Sequence, residues 1–202
     1  MDEGRLHDVL QQQQGVVARR QVVGLGGSDN DIERMIRRRA WARVHTGVYV
    51  AHNGPMTPQQ RTWAALLRYW PAALAGVSAL HAYGLGIRPA TDGIEVAVDA
   101  DRRFDRVAGI RVHRLTDFSS VALLHLSPPR LPLEHAVLTV ASRSPTEDGA
   151  VALISDACQT RRTTARLLVA ALVSMPRLPR RALLLPILED VATGAYSVLE
   201  RR

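Results

Sequence analysis

The sequence predicts a mixed α/β protein of the α+β kind, built from two small domains. Its 202 residues exceed the usual size of a single domain, and the 47% of hydrophobic residues suffice for two cores. Short helical patterns and a hairpin pattern fill the first half, whereas the second half opens on strand-like alternation and ends in helical patterns. We place the boundary in the turn-rich stretch at residues 88–93, which gives domains 1–90 and 91–202.

The chain is strongly basic, with a formal net charge of +7, and all of its positive charge comes from arginine because it contains no lysine. Residues 1–90 hold 11 arginines against 6 acidic residues, whereas residues 91–202 hold 15 against 13. Arginine-only usage is weak evidence for phosphate recognition, since codon bias also produces it. The basic excess in the first half nevertheless favours a polyanionic partner there.

We expect a cytoplasmic protein without a membrane span. The apolar runs are as short as Leu183–Leu185, far below the roughly 20 residues that a spanning helix needs. The N-terminus begins with Met1, Asp2 and Glu3 and shows no secretory signal. Cys158 is the single cysteine, which excludes an internal disulfide and a cysteine cluster for zinc.

Three short helices are predicted before residue 40. Residues 5–14 and 18–23 have helical apolar spacing, and a glycine-rich turn at residues 24–27 follows the second helix. Ser28 is a good N-cap with acidic residues after it, and it begins a third helix. The core side of that helix carries Ile32, Met35 and Ile36.

A β-hairpin with its turn at Thr46 and Gly47 is predicted over residues 41–50. Its candidate core positions are Val44, Val48 and Val50. Further helices are predicted at residues 59–70 and 77–83. Three helices with a glycine-rich turn before the third, followed by a two-stranded wing, are the parts of a winged helix-turn-helix.

The third helix carries most of the residues predicted to bind DNA, because in this fold it enters the major groove. Its side opposite the core projects polar side chains that reach base edges and phosphates. The candidates for contacts to bases are Asn30, Arg34 and Arg37. The candidates for contacts to phosphates are Arg19, Arg38, Arg43 and His45, and Ser28 lies on the same surface.

The same residues fit a simpler alternative. The run Arg37–Arg39 also suits the solvated face of an ordinary helix, and charge alone does not separate the two interpretations. Ser28 fits a helix cap better than a DNA contact, and His45 fits an exposed wing residue. The surrounding helix-turn-wing pattern is what favours DNA binding.

The second half is predicted to be an α/β domain. Residues 94–98 and 110–115 alternate like strands of a small sheet, and Val137–Val140 is expected to add another strand. From Glu147 onward the pattern becomes helical, with apolar spacing at residues 151–157, 167–173 and 183–191.

Three stretches of the first half carry a resemblance to a known family. They read RVHTGVY at residues 43–49, MTPQQR at residues 56–61 and VSALHAYGL at residues 77–85. The region from Leu6 to Leu85 resembles the N-terminal part of AbiEi-type antitoxins of type IV toxin–antitoxin systems. The resemblance implies a DNA-binding head, an antitoxin domain after it, repression of the chain's own operon, and a co-encoded nucleotidyltransferase-like toxin as partner. Residues 94–202 match that family through the general α/β order of elements.

No catalytic, cofactor or metal site is predicted, and we expect a protein that is not an enzyme. The seven histidines lie singly, without HExxH or zinc-finger spacing. Ser78 and His81 lie three residues apart on a helix, which fits a structural role. Gly194, Ser197 and Glu200 resemble the opening of a nuclease-like domain of longer relatives, but one carboxylate cannot assemble a metal-dependent nuclease site.

Three functions remain open from the sequence. The leading hypothesis is a DNA-binding antitoxin and transcriptional autorepressor. The first alternative is a plain winged-helix transcriptional regulator without a toxin, which genomic neighbourhood would distinguish. The second is the DNA-binding portion of a longer nuclease-like protein, which an in-frame continuation past Arg202 would favour.

Overall fold

A computed structural model describes residues 1–86 and 93–193, and within them it contains ten helices and six strands. The mixed α/β class predicted from the sequence is confirmed. The chain divides into two compact units, each assembled from two segments. The first unit comprises Met1–Leu74 and Thr91–Arg130, and the second comprises Ala75–Ala90 and Leu131–Arg202.

This division differs from a single boundary at residue 90. The strands predicted to open the second domain belong to the first unit, because they share a sheet with a two-residue strand at Ala73–Leu74. The helix Gly76–Ala82 belongs instead to the second unit. Most of the turn-rich stretch at residues 88–93 lies outside the described residues.

The N-terminal part of the first unit is a winged helix-turn-helix. Its elements are α1 Glu3–Gln12, β1 Val16–Ala18, α2 Arg19–Gly24, α3 Asp29–Arg37, β2 Ala42–His45 and β3 Val48–Val50. The strands form an antiparallel sheet in the order β1-β3-β2, so β2 and β3 are the wing. Gly47 at the wing turn has a φ of +70°, which glycine adopts without steric cost.

One apolar cluster holds these helices against the wing sheet. Its buried members are Leu6, Val17, Val22, Ile32, Trp41 and Tyr49. Met35 and Ile36 pack against the cluster, so the predicted core side of α3 is confirmed. Val48 and Val50 are buried as predicted, whereas Val44 is only half-buried.

Residues 16–18 form a strand that the sequence analysis did not predict, and it includes Ala18, which was predicted to begin the second helix. Val16 pairs with Val50 and Ala18 with Val48, and all three residues of β1 are fully buried. A run of three apolar residues is too short to show alternation. Pairing with the distant wing therefore decides its conformation.

A second sheet with two helices completes the first unit. The strands are β4 Ala73–Leu74, β5 Ile94–Asp99 and β6 Ile110–Leu115, and the helices are α4 Pro58–Arg68 and the short α6 Phe118–Val121. The strand order is β4-β5-β6, with β4 antiparallel and β6 parallel to β5. The two strands predicted in this region are confirmed, whereas β4 had no sequence signal.

The described part of the second unit is helical. It contains α5 Gly76–Ala82, α7 Leu133–Ser142, α8 Glu147–Gln159, α9 Ala165–Ser174 and α10 Arg181–Thr193. The strand predicted at Val137–Val140 is wrong, because these residues lie inside α7. The short apolar run could not distinguish a strand from a buried helix, and burial of Leu133, Val137 and Ala141 along one side of α7 settles the helix.

Candidate nucleic-acid interface

Ser28 fixes the start of α3 through reciprocal hydrogen bonds with Asp31. The Ser28 Oγ accepts from the Asp31 N–H at 3.2 Å, and the Asp31 carboxylate accepts from the Ser28 N–H at 2.9 Å and from the Ser28 hydroxyl at 2.7 Å. These bonds hold the pKa of Asp31 below its usual range, and the charge of Arg34 adds to the effect. Ser28 is therefore the helix cap predicted from the sequence, and its hydroxyl is already engaged.

Three of the arginines predicted to contact DNA are held by carboxylates of α3. The pairs are Arg19 with Asp29, Arg34 with Asp31 and Arg43 with Glu33, and we call these three the paired arginines. Their side chains remain about half exposed. Exposed ion pairs are weak, so a DNA phosphate or base edge can take the place of each carboxylate.

The pair between Arg19 and Asp29 has the most complete geometry. Arg19 donates from Nε and Nη2 to the two carboxylate oxygens, each at 2.6 Å. This bidentate contact lowers the pKa of Asp29. It also joins the start of α2 to the first turn of α3. The guanidinium of Arg19 is thus held in a fixed direction at the turn of the helix-turn-helix.

The other predicted arginines lie at the end of α3 and have different surroundings. Arg37 and Arg38 are exposed, and no ion pair joins either of them to a carboxylate in the described part of the chain. We call them the unpaired arginines. Arg38 is the C-cap residue, and Arg39 follows with a φ of +57° while its carbonyl accepts a hydrogen bond from the Asn53 side chain.

The outer face of α3 changes sign along its length. The candidate DNA-binding residues on the side of α3 away from the core are all exposed, namely Asn30, Arg34, Arg37 and Arg38, and so is Glu33. Ile32 on the opposite side is 2% exposed. The first turns are acidic and the last turn is basic. Such a face offers carboxylates to cytosine amino groups, and arginines to guanine and phosphate.

His45 ends β2, directly before the wing turn. The side chain is half-buried rather than freely exposed, and this burial lowers its pKa, with a further contribution from the charge of Arg68. His45 is therefore mostly neutral near pH 7 in the free protein. Its neighbours include two arginines that the sequence analysis did not single out.

An open cleft of about 520 Å³ lies beside the wing. Its charged and titratable lining comprises Arg43, His45, Arg68, Asp105 and Arg106. They come from β2, from the end of α4 and from the segment between β5 and β6. Arg68 and Arg106 were missed because no motif or periodicity links them to the wing. The connection depends on contacts between distant segments, such as the pairing of β4 with β5, that the sequence does not show.

The remaining candidate chemistry gains no support from the described residues. Within residues 1–86 and 93–193, no group of three or more His, Cys, Asp or Glu side chains could hold a metal ion. Burial raises the pKa of the Cys158 thiol. Across the same residues, no helix is both long and apolar enough to cross a membrane. Gly194, Ser197 and Glu200 lie outside the described residues.

Comparison with known proteins gives a likeness of fold. No protein-family model matches the chain, and no curated protein matches it. The fold is similar to that in the crystal structure of the RV2827C protein from Mycobacterium tuberculosis, with a TM-score of 0.53 and 17% sequence identity. The match covers 95% of this chain and 76% of that chain. At this identity, the likeness establishes the fold alone.

Proposed function

We propose that this chain is a DNA-binding antitoxin of the AbiEi type that represses its own operon. The observation that carries the DNA-binding part is the winged helix-turn-helix whose third helix presents an exposed, basic last turn beside the wing. Winged helix-turn-helix proteins use the third helix in the major groove, so exposed arginines on this helix support the proposal.

In the proposed complex, α3 enters the major groove of the operator. Arg34 and Arg37 read base edges, and Asn30 contacts adenine. The phosphates are bound by Arg19, Arg38, Arg43 and His45. Ser28 orders the first turn of α3 as its cap, which fixes the direction from which the helix approaches the bases.

The antitoxin part of the proposal rests on the resemblance of residues 6–85 to the AbiEi family. In that scheme the protein acts in the cytoplasm, is not an enzyme, and opposes a co-encoded nucleotidyltransferase-like toxin. The helical second unit is then the part assigned to toxin neutralisation. DNA binding and toxin neutralisation thus belong to different units and can be tested separately.

Fluorescence anisotropy tests the DNA-binding part. The purified protein is titrated with its own upstream duplex and with a scrambled duplex over a range of salt concentrations. We expect preference for the upstream duplex, and Arg34→Ala should cost about 1 to 3 kcal/mol and relax that preference. Arg177→Ala removes an exposed arginine between α9 and α10 and is the matched control. Equal binding to both duplexes at every salt concentration would refute the autorepressor.

Co-expression tests the antitoxin part. A neighbouring gene for a nucleotidyltransferase-like protein is induced alone and together with this chain, and growth is measured. Rescue of growth by Arg34→Ala as well as by the wild type would show that neutralisation does not need operator recognition. Full toxicity in the presence of the wild-type chain would leave a plain transcriptional regulator.

A further inference from the structure

We infer that the cleft beside the wing binds a phosphodiester of the same DNA duplex, outside the segment that α3 contacts. The inference rests on the proposed function and extends it. It assigns phosphate contacts to Arg68 and Arg106, neither of which belongs to the winged helix-turn-helix elements.

The charges that line the cleft favour an anion. Three guanidinium groups and one imidazole face one carboxylate, that of Asp105. Arginine is the side chain best suited to phosphate because its planar donors match two phosphate oxygens at once. A volume of about 520 Å³ in an open cleft leaves room for a phosphate that remains attached to a polymer.

Arg68 is only weakly compensated by a carboxylate, although its Cζ also lies 5.7 Å from the centroid of the Tyr69 ring. Its side chain is 21% exposed, so its guanidinium has lost part of its hydration. Among the described residues its carboxylate partner is Asp105, at 3.7 Å, and the Asp105 side chain is 96% exposed. Such a long contact to a fully hydrated carboxylate offsets little of the desolvation of Arg68. A phosphate oxygen can displace Asp105 at small cost.

The segment that carries Arg106 is held in place before any ligand arrives. Arg102 donates three hydrogen bonds to the backbone carbonyls that follow α4, at 2.6 to 2.9 Å. The Tyr69 hydroxyl donates to the Asp105 carbonyl at 2.9 Å, and the Tyr69 ring meets Phe104 edge to face at 5.2 Å. Because the segment is already ordered, phosphate binding does not incur the loss of conformational entropy that ordering it would cost.

Arg43 connects the cleft with the recognition helix. It lines the cleft and also donates to Glu33 of α3 at 3.3 Å. A duplex whose major groove receives α3 would therefore continue past the wing toward the cleft. Phosphates flanking the groove are the DNA groups that lie beside a wing.

The test measures DNA binding by Arg68→Gln and Arg106→Gln across salt concentrations. We expect each variant to weaken binding to the upstream and scrambled duplexes by about tenfold and to reduce the slope of log K against log salt by about one. Arg103→Gln removes the same charge from an exposed position of the same segment outside the cleft, and its effect should stay within about twofold.

A shortened duplex locates the contact. Removing the flanking base pairs on the wing side should weaken wild-type binding, and Arg106→Gln should lose nothing further on that duplex, because the two changes remove one contact. If the wild type binds DNA and both cleft variants bind as Arg103→Gln does, the cleft inference is overturned and the proposed function stands. If the wild type binds neither duplex, both are overturned. Arg106 is exposed, so Arg106→Gln should fold normally and tests the cleft inference even if Arg68→Gln impairs folding.

A free anion is the other possible source of the phosphate. Inorganic phosphate is titrated in place of chloride at constant ionic strength while the ring resonances of His45 are followed by NMR. If phosphate shifts those resonances in the wild type but not in Arg68→Gln, while DNA affinity is unchanged by the substitution, the cleft serves a small anion and the DNA inference is overturned.

Discussion

The paired arginines and the unpaired arginines carry the same charge in different electrostatic surroundings. Arg19, Arg34 and Arg43 are oriented by carboxylates of α3, and their charges are locally neutralised. Arg37 and Arg38 are exposed at the end of the same helix without such partners among the described residues. Uncompensated charge attracts a polyanion over distance, whereas a fixed side chain recognises a particular group. We therefore expect the unpaired arginines to contribute more to DNA affinity than the paired arginines do, whichever DNA group each one contacts.

The largest expected effect comes from removing the unpaired arginines together. Arg37→Ala/Arg38→Ala should weaken binding to the upstream duplex by about a hundredfold, since each contact is worth about 1 to 3 kcal/mol. The double variant Arg19→Ala/Arg43→Ala removes the same charge from the paired set and should cost about tenfold or less. Anisotropy titrations at one salt concentration compare them. Equal losses would break the distinction between the two sets.

Ser28→Ala tests how the paired set is held. Loss of the cap should lower the free energy of unfolding by about 1 kcal/mol, whereas Ser28→Thr should retain most of it. The lowered pKa of Asp31 stabilises the fold at pH values above its ordinary pKa of 3.8, and this contribution is lost as the pH falls through the lower folded value. Urea unfolding at pH 7 and pH 3 should therefore show a larger difference in the free energy of unfolding between the wild type and Ser28→Ala at pH 7. The same difference at both pH values would contradict the role of the Ser28–Asp31 pair.

Asp29→Asn should convert Arg19 from a paired to an unpaired arginine. Removing the carboxylate that pairs with Arg19 leaves the positive charge of Arg19 uncompensated beside the DNA. Both duplexes should therefore bind a few-fold more tightly at low salt. The gain should shrink as salt is added. Asp8→Asn makes the same change of charge on an exposed position of α1 and is the control for net charge. Weaker binding by Asp29→Asn would contradict this prediction and would mean that Asp29 supports DNA binding, either directly or by orienting Arg19.

The smallest expected effect concerns His45 and pH. Arg43 on its own strand, Arg68 of α4, and Asp105 and Arg106 of the β5–β6 segment line the same cleft. Burial lowers the His45 pKa below 6.5, so its neutral form favours folding above that pH and the contribution is lost as the pH falls. A bound phosphate would raise the pKa. DNA affinity should therefore rise about two- to threefold from pH 8 to pH 6, and His45→Gln should flatten the profile.

The parts of the interface that the sequence predicted depend on local signals. The hydroxyl of Ser28 caps its own helix, and Ile32, Met35 and Ile36 repeat at the helical period, so α3 and its outer face could be derived from about ten residues. The wing turn likewise follows from the local preference of Gly47 for a positive φ. For α3 and the wing turn, the sequence already predicts the secondary structure, and the structure adds which groups the side chains contact.

The parts that the sequence did not predict depend on distant pairing. β1 is a strand because of its pairing with β3, and β4 becomes one by pairing with β5, which follows about twenty residues later. The run Val137–Val140 has strand-like composition but is buried as a helix. The cleft depends on distant contacts of the first unit, because Arg106 lies in the segment between β5 and β6 and Arg43 and His45 lie in the wing. Short elements with remote partners leave no periodicity to detect.

The three hydrogen bonds that Arg102 donates to the carbonyls after α4 also bear on the order in which the candidate interface forms during synthesis. The wing leaves the ribosome with His45, but Arg106 follows roughly sixty residues later. At synthesis rates of about 5 to 20 residues per second, that delay lasts on the order of 3 to 12 seconds. A nascent chain would thus display its helix-turn-helix early and complete its phosphate-binding cleft late. A fragment that stops at residue 90 would correspond to the early stage, with α3 and the wing present but without the segment that Arg102 holds against the end of α4.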